Sequence, residues 1–423
     1  MRKLLIKDIC DVVNGGTPST KDSENYDGDI VWITPKDLSD QKCRYIKRGE
    51  RNITEKGYNN CSTTLLPKGS ILLSSRAPIG LISIADTVCC TNQGFKNLVF
   101  KNDLVNNIYL YYYLKYHVKD IEKLGSGTTF KELSKSSLEG FVVNIHDKDN
   151  QELIANILST LDDKIELNNK INIELEKVAK TLYDYWFVQF DFPDEKERPY
   201  KSSGRKMVYS QELKREIPFG WEVIVLGEHI TSLRGVSYSS PDLIGDGVPM
   251  INLACFTPEC TYKASGIKSY SGKYTKDKVL KPYDLVMCNT QQTDLDPTKD
   301  IIGNCLLVPN IFDKEIVSSH HVNHIIFDND DLKYILFGES KTTWFHKFVS
   351  GLCSGTNILG LDFNGICKYK MVKPPKQILS KYAKLILNIE SQKSVIIKEN
   401  QQLTALRDFL LPLLMNGQVS FKK

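Results

Sequence analysis

Residues 151–187, QELIANILSTLDDKIELNNKINIELEKVAKTLYDYWF, run without one Gly or Pro. Alternating steps of four and three from Ile154 meet Leu158, Leu161, Ile165, Asn168, Asn172, Leu175, Ala179, Leu182 and Trp186. A repeat of about 3.5 residues keeps one narrow apolar seam turned toward a partner helix. At about 1.5 Å per residue the helix would reach roughly 55 Å, beyond an ordinary globular helix. Asn168 and Asn172 interrupt the seam, where buried amides fix register at some cost in stability. Such a seam needs a partner.

The same chain supplies one. Shifting by 228 positions leads to residues 377–414 and the seam Tyr382, Ile386, Ile389, Lys393, Ile396, Asn400, Leu403, Arg407, Leu410 and Leu414. Asn172 falls on Asn400, Lys393 and Arg407 break the apolar pattern, and Pro412 is expected to break the helix. Residues 151–192 hold 4 Lys against 8 Asp and Glu, and residues 373–423 hold 9 basic against 3 acidic. Opposite charge and matching seams predict an antiparallel pair within one chain. Pairing between two chains is the alternative.

At 423 residues the chain is long enough for two to four domains. Hydrophobic and charged fractions of 41% and 25% are those of a soluble globular protein. No apolar run approaches the roughly 18 residues of a membrane span, and MRKLLIKDICDVV has acids where a signal peptide needs an apolar core. The 11 Cys follow no disulfide or CxxC spacing, which predicts reduced thiols and a cytoplasmic protein. A net charge of +4 is too small to argue for nucleic acid by itself.

The division that follows is 1–149, a first module; 150–192, a long helix; 193–220, an acidic, Pro-bearing connector; 221–372, a second module; and 373–423, a second long helix and tail. The first module mixes β runs at 30–34, 70–75, 81–85 and 96–100 with a helix at 107–124 and Gly-rich turns. The second repeats it: 30–34 answers 248–252, 66–72 answers 280–286, 91–100 answers 318–327, and Ser126-Gly127-Thr128 answers Ser354-Gly355-Thr356. The offset wanders between 214 and 227, then locks at 228 through the helix. Diverging loops on a fixed spacer suggest two readers held a set distance apart.

Catalytic constellations fail one after another. GIKSYSGKY at 266–274 has the wrong spacing for a phosphate loop and a Tyr where Ser or Thr must meet magnesium. A PD…ExK string, Pro193-Asp194 with Glu212-Leu213-Lys214, sits in the connector, away from a rigid scaffold. His320, His321 and His324 lack a carboxylate to complete a metal set, and a strand would turn His321 from the other two. The Asn/Asp-Pro-Pro-Tyr/Phe signature of amino-methyltransferases is absent. No catalytic residue and no metal site is expected.

LYDYWFVQFDFP (182–193), RPYKSSGRKMVY (198–209) and REIPFGWEVIVLGEHI (215–230), with GGTPST (15–20), SSRAPIG (74–80), TNQGFKNL (91–98) and GSGTTFKEL (125–133), resemble the specificity subunit of type I restriction-modification enzymes. The resemblance runs the whole chain in order. It implies an α+β protein in which two pseudo-repeated α/β target recognition domains are separated by a long antiparallel two-helix coiled coil. Each domain would read one half of a bipartite site in double-stranded DNA, while the helices set the gap and dock two methyltransferase subunits. Restriction subunits would join that core. S-adenosylmethionine, with ATP and magnesium, would be bound by those partners and not by this chain. The second module departs from the pattern, with SSHHVNHIIF and NTQQTDLDPTKD in place of TNQGFK and SSRAPIG, so a different half-site is expected. It carries 14 basic and 17 acidic residues against 21 and 18 in 1–150.

Within that frame, Arg76 suits guanine O6 and N7, and Asn92 and Gln93 suit adenine N6 and N7. Lys96 and Lys131 suit phosphates, with Thr17 and Thr128 in the Gly-rich turns. Asn289, Thr290, Gln291, Gln292, His321, Asn323 and Thr356 hold the matching places in the second module. Two other readings stay open: a self-contained DNA methyltransferase or nuclease, and a coiled-coil structural protein with two protein-binding modules.

Overall fold

A computed structural model of the chain describes residues 1–39, 41, 43–127, 131–292 and 299–419, with the backbone alone at Gln292. The described chain divides into two compact units, Met1–Asn168 with Asn400–Lys423, and Asn169–Glu399. Both long helices therefore contribute to both units.

In the first unit a five-stranded sheet runs Cys10–Asn14, Lys96–Phe100, Ile71–Ser75, Ile79–Ala85, Tyr45–Ile46, with only the last pair parallel. Trp32–Ile33 pairs in parallel with Cys90–Thr91, and Arg2–Leu5 pairs antiparallel with Val142–Ile145. The helix expected at 107–124 is two helices, Asn107–Tyr116 and Val118–Lys123, because His117 leaves helical geometry at φ −93°, ψ 17°. Asn106 starts the first of them, its side-chain oxygen accepting from the Ile108 and Tyr109 amides. The core joins Ile71, Leu73, Leu98, Tyr109 and Tyr112 to Ile154 and Leu158 of the first long helix and Leu414 of the second.

The second unit repeats the plan with different decoration. Ile230–Arg234, Val322–Phe327, Leu285–Cys288 and Cys305–Leu307 form an antiparallel sheet, and Val248–Ile251 pairs in parallel with Ile316–Ser318. Glu222–Val225 with Lys370–Lys373 reproduces the closing pair of the first unit. An addition is the small sheet of Thr290–Gln292, Ile358–Leu361 and Cys353–Ser354. Residues 193–220 are folded and not a loose connector: Met207–Ser210 and Arg215–Pro218 form a hairpin, and Phe192 and Trp221 join Trp186, Phe187 and Tyr382 in the core. Asp194 of the PD…ExK string accepts from Arg205 at 2.6 Å.

The first long helix is Lys148–Tyr183, followed by a wider turn, Asp184–Val188, in which the Gln189 amide reaches back to the Asp184 carbonyl. The second is Lys376–Met415, and Pro412 does not break it: the proline removes one donor, while the Asn416 amide still bonds the Pro412 carbonyl at 3.0 Å. Within the first unit Asp162 pairs with Arg407 and Asn168 with Asn400, six positions forward against seven back. Within the second, Glu176 pairs with Lys393 and Trp186 lies against Tyr382, ten forward against eleven back. Each unit thus holds an antiparallel helix pair from one chain. Lys393 and Arg407, the breaks in the apolar pattern, are the residues that meet carboxylates across it.

Of the seam residues, Ile154, Leu158, Ile386 and Ile389 are buried, and Leu175 and Leu182 pack on the core of the second unit. Leu161, Ile165, Ile396, Leu403 and Leu410 are half-buried. Asn172 corresponds to Asn400 in the repeat, but the residue bonded to Asn400 is Asn168, since an antiparallel pair does not bring repeat-equivalent positions together. Among the described residues no helix is long and apolar enough to cross a membrane.

Candidate nucleic-acid interface

The two modules share one backbone frame where the candidate residues gather. In the first, the Gly16 amide donates to the Thr91 carbonyl at 2.9 Å, the Asn92 amide to Ile33 at 3.0 Å, the Ser75 amide to Gly94 at 2.7 Å and the Leu133 amide to Ser75 at 2.9 Å. In the second, Val236 donates to Ser318 at 2.7 Å, Ser319 to Ile251 at 2.8 Å, Asn289 to His321 at 3.0 Å and Leu361 to Asn289 at 2.9 Å. The frame needs glycine where the entering turn crosses the strand end. A Cβ on Gly15 would lie 2.0 Å from the Asn92 carbonyl oxygen, and one on Gly235 2.2 Å from that of Ser318. The turn Arg234-Gly235-Val236 is thus the partner of Gly15-Gly16, a match that one shared glycine made hard to find in the sequence.

These bonds set a correspondence residue by residue. Arg76 stands where the second module has Thr290, Gln93 where it has His320, Lys96 where it has Asn323, and Lys131 where it has Leu359. His321 occupies the place of Gly94, and His320, absent from the candidate residues named above, takes that of Gln93. The strand begins at Val322, so only His324 lies on it. The His320 and His321 rings lie 3.8 Å apart between centroids, tilted at 41°, and His324 Nε2 sits 3.3 Å from Asp284. Burial holds the His321 imidazole below its ordinary range, helped by His320 and Arg234.

Several candidates make polar contacts within their own module. Lys96 is buried with its ammonium 3.3 Å from Glu132. Asn289 donates to Asn323 at 2.5 Å and to the His320 carbonyl at 3.2 Å, and both asparagines are buried. The Gln291 side-chain oxygen Oε1 accepts from the Ile301 and Ile302 amides at 2.7 and 3.0 Å. Asn92 accepts from the Gly94 amide two residues on at 2.9 Å. Buried polar groups must find partners, and short amide side chains find them in nearby backbone.

Other candidates keep accessible polar atoms. Thr17 donates to Gln93, which is exposed. Arg76, immediately after the strand, is 39% exposed with its guanidinium 4.0 Å from Glu132, and it lines with Lys131 a groove of about 580 Å³. Thr290 bonds the His321 ring at 2.7 Å, and Thr356 is exposed between two short strands. Thr128 and the Gln292 side chain lie outside the described residues. Glu132 lies between Arg76 and Lys96, an acid where a polyanion's surface favours bases.

Comparison with known proteins follows this geometry. Residues 2–177 match the family model of the type I restriction modification DNA specificity domain. The chain is 33% identical over 427 residues to the type I restriction enzyme MjaIX specificity subunit of Methanocaldococcus jannaschii, covering 98% of this chain and 92% of that one. It is 26% identical to the HindI specificity subunit of Haemophilus influenzae, over 72% and 74% of the two chains. A solved S subunit from M. genitalium has the same fold at 15% identity, with a TM-score of 0.60 over 98% of this chain and 95% of the other. The chain belongs to the specificity subunits of type I restriction enzymes.

Proposed function

We propose that each module reads one half of a bipartite site in double-stranded DNA. The observation that carries this is the doubled frame: the same backbone bonds hold Arg76, Gln93 and Lys131 in one module and Thr290, His320 and Leu359 in the other. A conserved frame with altered side chains gives two readers of different sequence. Arg76 offers two parallel donors to guanine, and Gln93 a donor and an acceptor to adenine. In the second module Thr290, His320 and His321 present hydroxyl and imidazole groups to base edges.

The long helices set the unread gap and dock two methyltransferase subunits, to which restriction subunits add. S-adenosylmethionine, and ATP with magnesium, are bound by those partners; this chain supplies sequence recognition and no catalytic residue, and works in the cytoplasm. With 14 basic against 17 acidic residues, the second module cannot hold DNA through net charge, so tight binding requires the assembled complex. The test is methylation-motif sequencing in a host carrying this chain and its methyltransferase. One motif of two short halves with a fixed gap is expected; a single contiguous motif would overturn the reading.

A further inference from the structure

We propose that Glu132 is a specificity-determining residue of the first module, which positions Arg76 for a base edge and keeps it off the phosphates. The inference rests on the base-reading role of that module. Glu132 stands between two cations, Lys96 at 3.3 Å and Arg76 at 4.0 Å. Its backbone is fixed on both sides: it pairs with Ser126, and the next residue, Leu133, donates to the Ser75 carbonyl beside Arg76. The carboxylate is 44% exposed and lines the same groove as Arg76 and Lys131.

The three charges come and go together. In the second module Arg76 is replaced by Thr290, Lys96 by Asn323 and Glu132 by Gly360, which pairs with Ser354 as Glu132 does with Ser126. An acid needed only for the backbone frame would have no reason to vanish with the two cations. Without Glu132, Arg76 would be a bare cation beside Lys131 at a groove, the arrangement that grips phosphates without reading sequence. With it, the local charge falls by one, a phosphate is held less strongly, and the guanidinium is drawn to one side of the groove. Lys96, buried along its stem, anchors the acid and does not itself reach out.

The experiment uses the full chain assembled with its methyltransferase subunit and duplexes bearing its methylation motif, the same motif with each pair of the first half-site changed, or random sequence. Glu132→Gln is expected to lose about tenfold in discrimination at one base pair of the first half. It should also bind random duplex more tightly, with a salt slope steeper by about one. Arg76→Ala should lose the same discrimination without the steeper slope, and the double variant should discriminate no worse than Arg76→Ala. Glu132→Asp, which keeps the charge, should retain the wild-type slope. A Glu132→Gln complex that discriminates as the wild type does, or weakens on all duplexes equally, overturns the proposal. A wild-type complex indifferent to the first half-site overturns instead the function beneath it.

Discussion

The Asn168 side-chain amide donates to the Asn400 side-chain oxygen Oδ1 at 2.9 Å, and Asn168 is 1% exposed. This amide pair, buried at Asn168 and half-buried at Asn400, fixes the register of two apolar seams, because a slip leaves the Asn168 amide facing hydrocarbon. Asn168→Ala is expected to cost about 1–3 kcal/mol. A double-mutant cycle with Asn400→Ala in urea should give a coupling well above about 0.5 kcal/mol. Additive effects would mean the amides do not act as a pair.

Leu158 belongs to the apolar seam of the first long helix. It is fully buried in the core of the first unit, against the sheet and the tyrosine-rich helix. Leu158→Ala should therefore cost about 2–5 kcal/mol and destabilise the first module itself. Hydrogen exchange should show faster exchange across 1–147 while amides of 169–399 keep their protection.

Glu176 meets Lys341 at 2.7 Å and bonds Lys393, which also reaches Glu390 at 2.7 Å. Burial by itself would raise the Glu176 pKa, but the two ammonium groups outweigh it and hold the carboxyl below its ordinary 4.5. A pKa lower in the folded state means stability that is present above 4.5 and lost as pH falls through the folded value. The stability gap between wild type and Glu176→Gln should shrink below pH 4.5, as urea unfolding at pH 7 and pH 4 would reveal. Lys393→Met leaves buried acids short of a cation and should cost about 3–5 kcal/mol at neutral pH.

Helices and their pairing were legible in the sequence because a 3.5-residue pattern depends on local composition alone. The breaks in that pattern, Lys393 and Arg407, made sense only once Glu176 and Asp162 stood opposite them. The repeat was visible wherever apolar runs persisted. It faded at Gly235, since backbone bonds hold the frame and place few demands on side chains. Asn289, Gln291 and Asn323 looked like DNA contacts for the same reason: sequence shows an amide, and only packing shows that its partners are internal.

If the helices set the gap, lengthening both should change it and leave the half-sites alone. Matched four-residue insertions after Lys170 and Ile397 add about 6 Å of rise and about 40° of turn. That is close to two base pairs at roughly 3.4 Å each. Motif sequencing should return the original halves with a gap longer by one or two pairs. Insertions of two residues, about 200° of turn, should put the apolar seam on the wrong face and abolish methylation.

Independence of the two readers is tested most directly by paired single substitutions, Arg76→Ala and His320→Ala, each assembled with the methyltransferase and read by methylation-motif sequencing. Loss of a two-donor guanine contact should cost about 1–3 kcal/mol at one base pair. The expected result is that each substitution relaxes one position in one half-site, a different half for each, with the gap and the other half unchanged. If both substitutions altered the same half, or either altered both, the doubled frame would not be two readers.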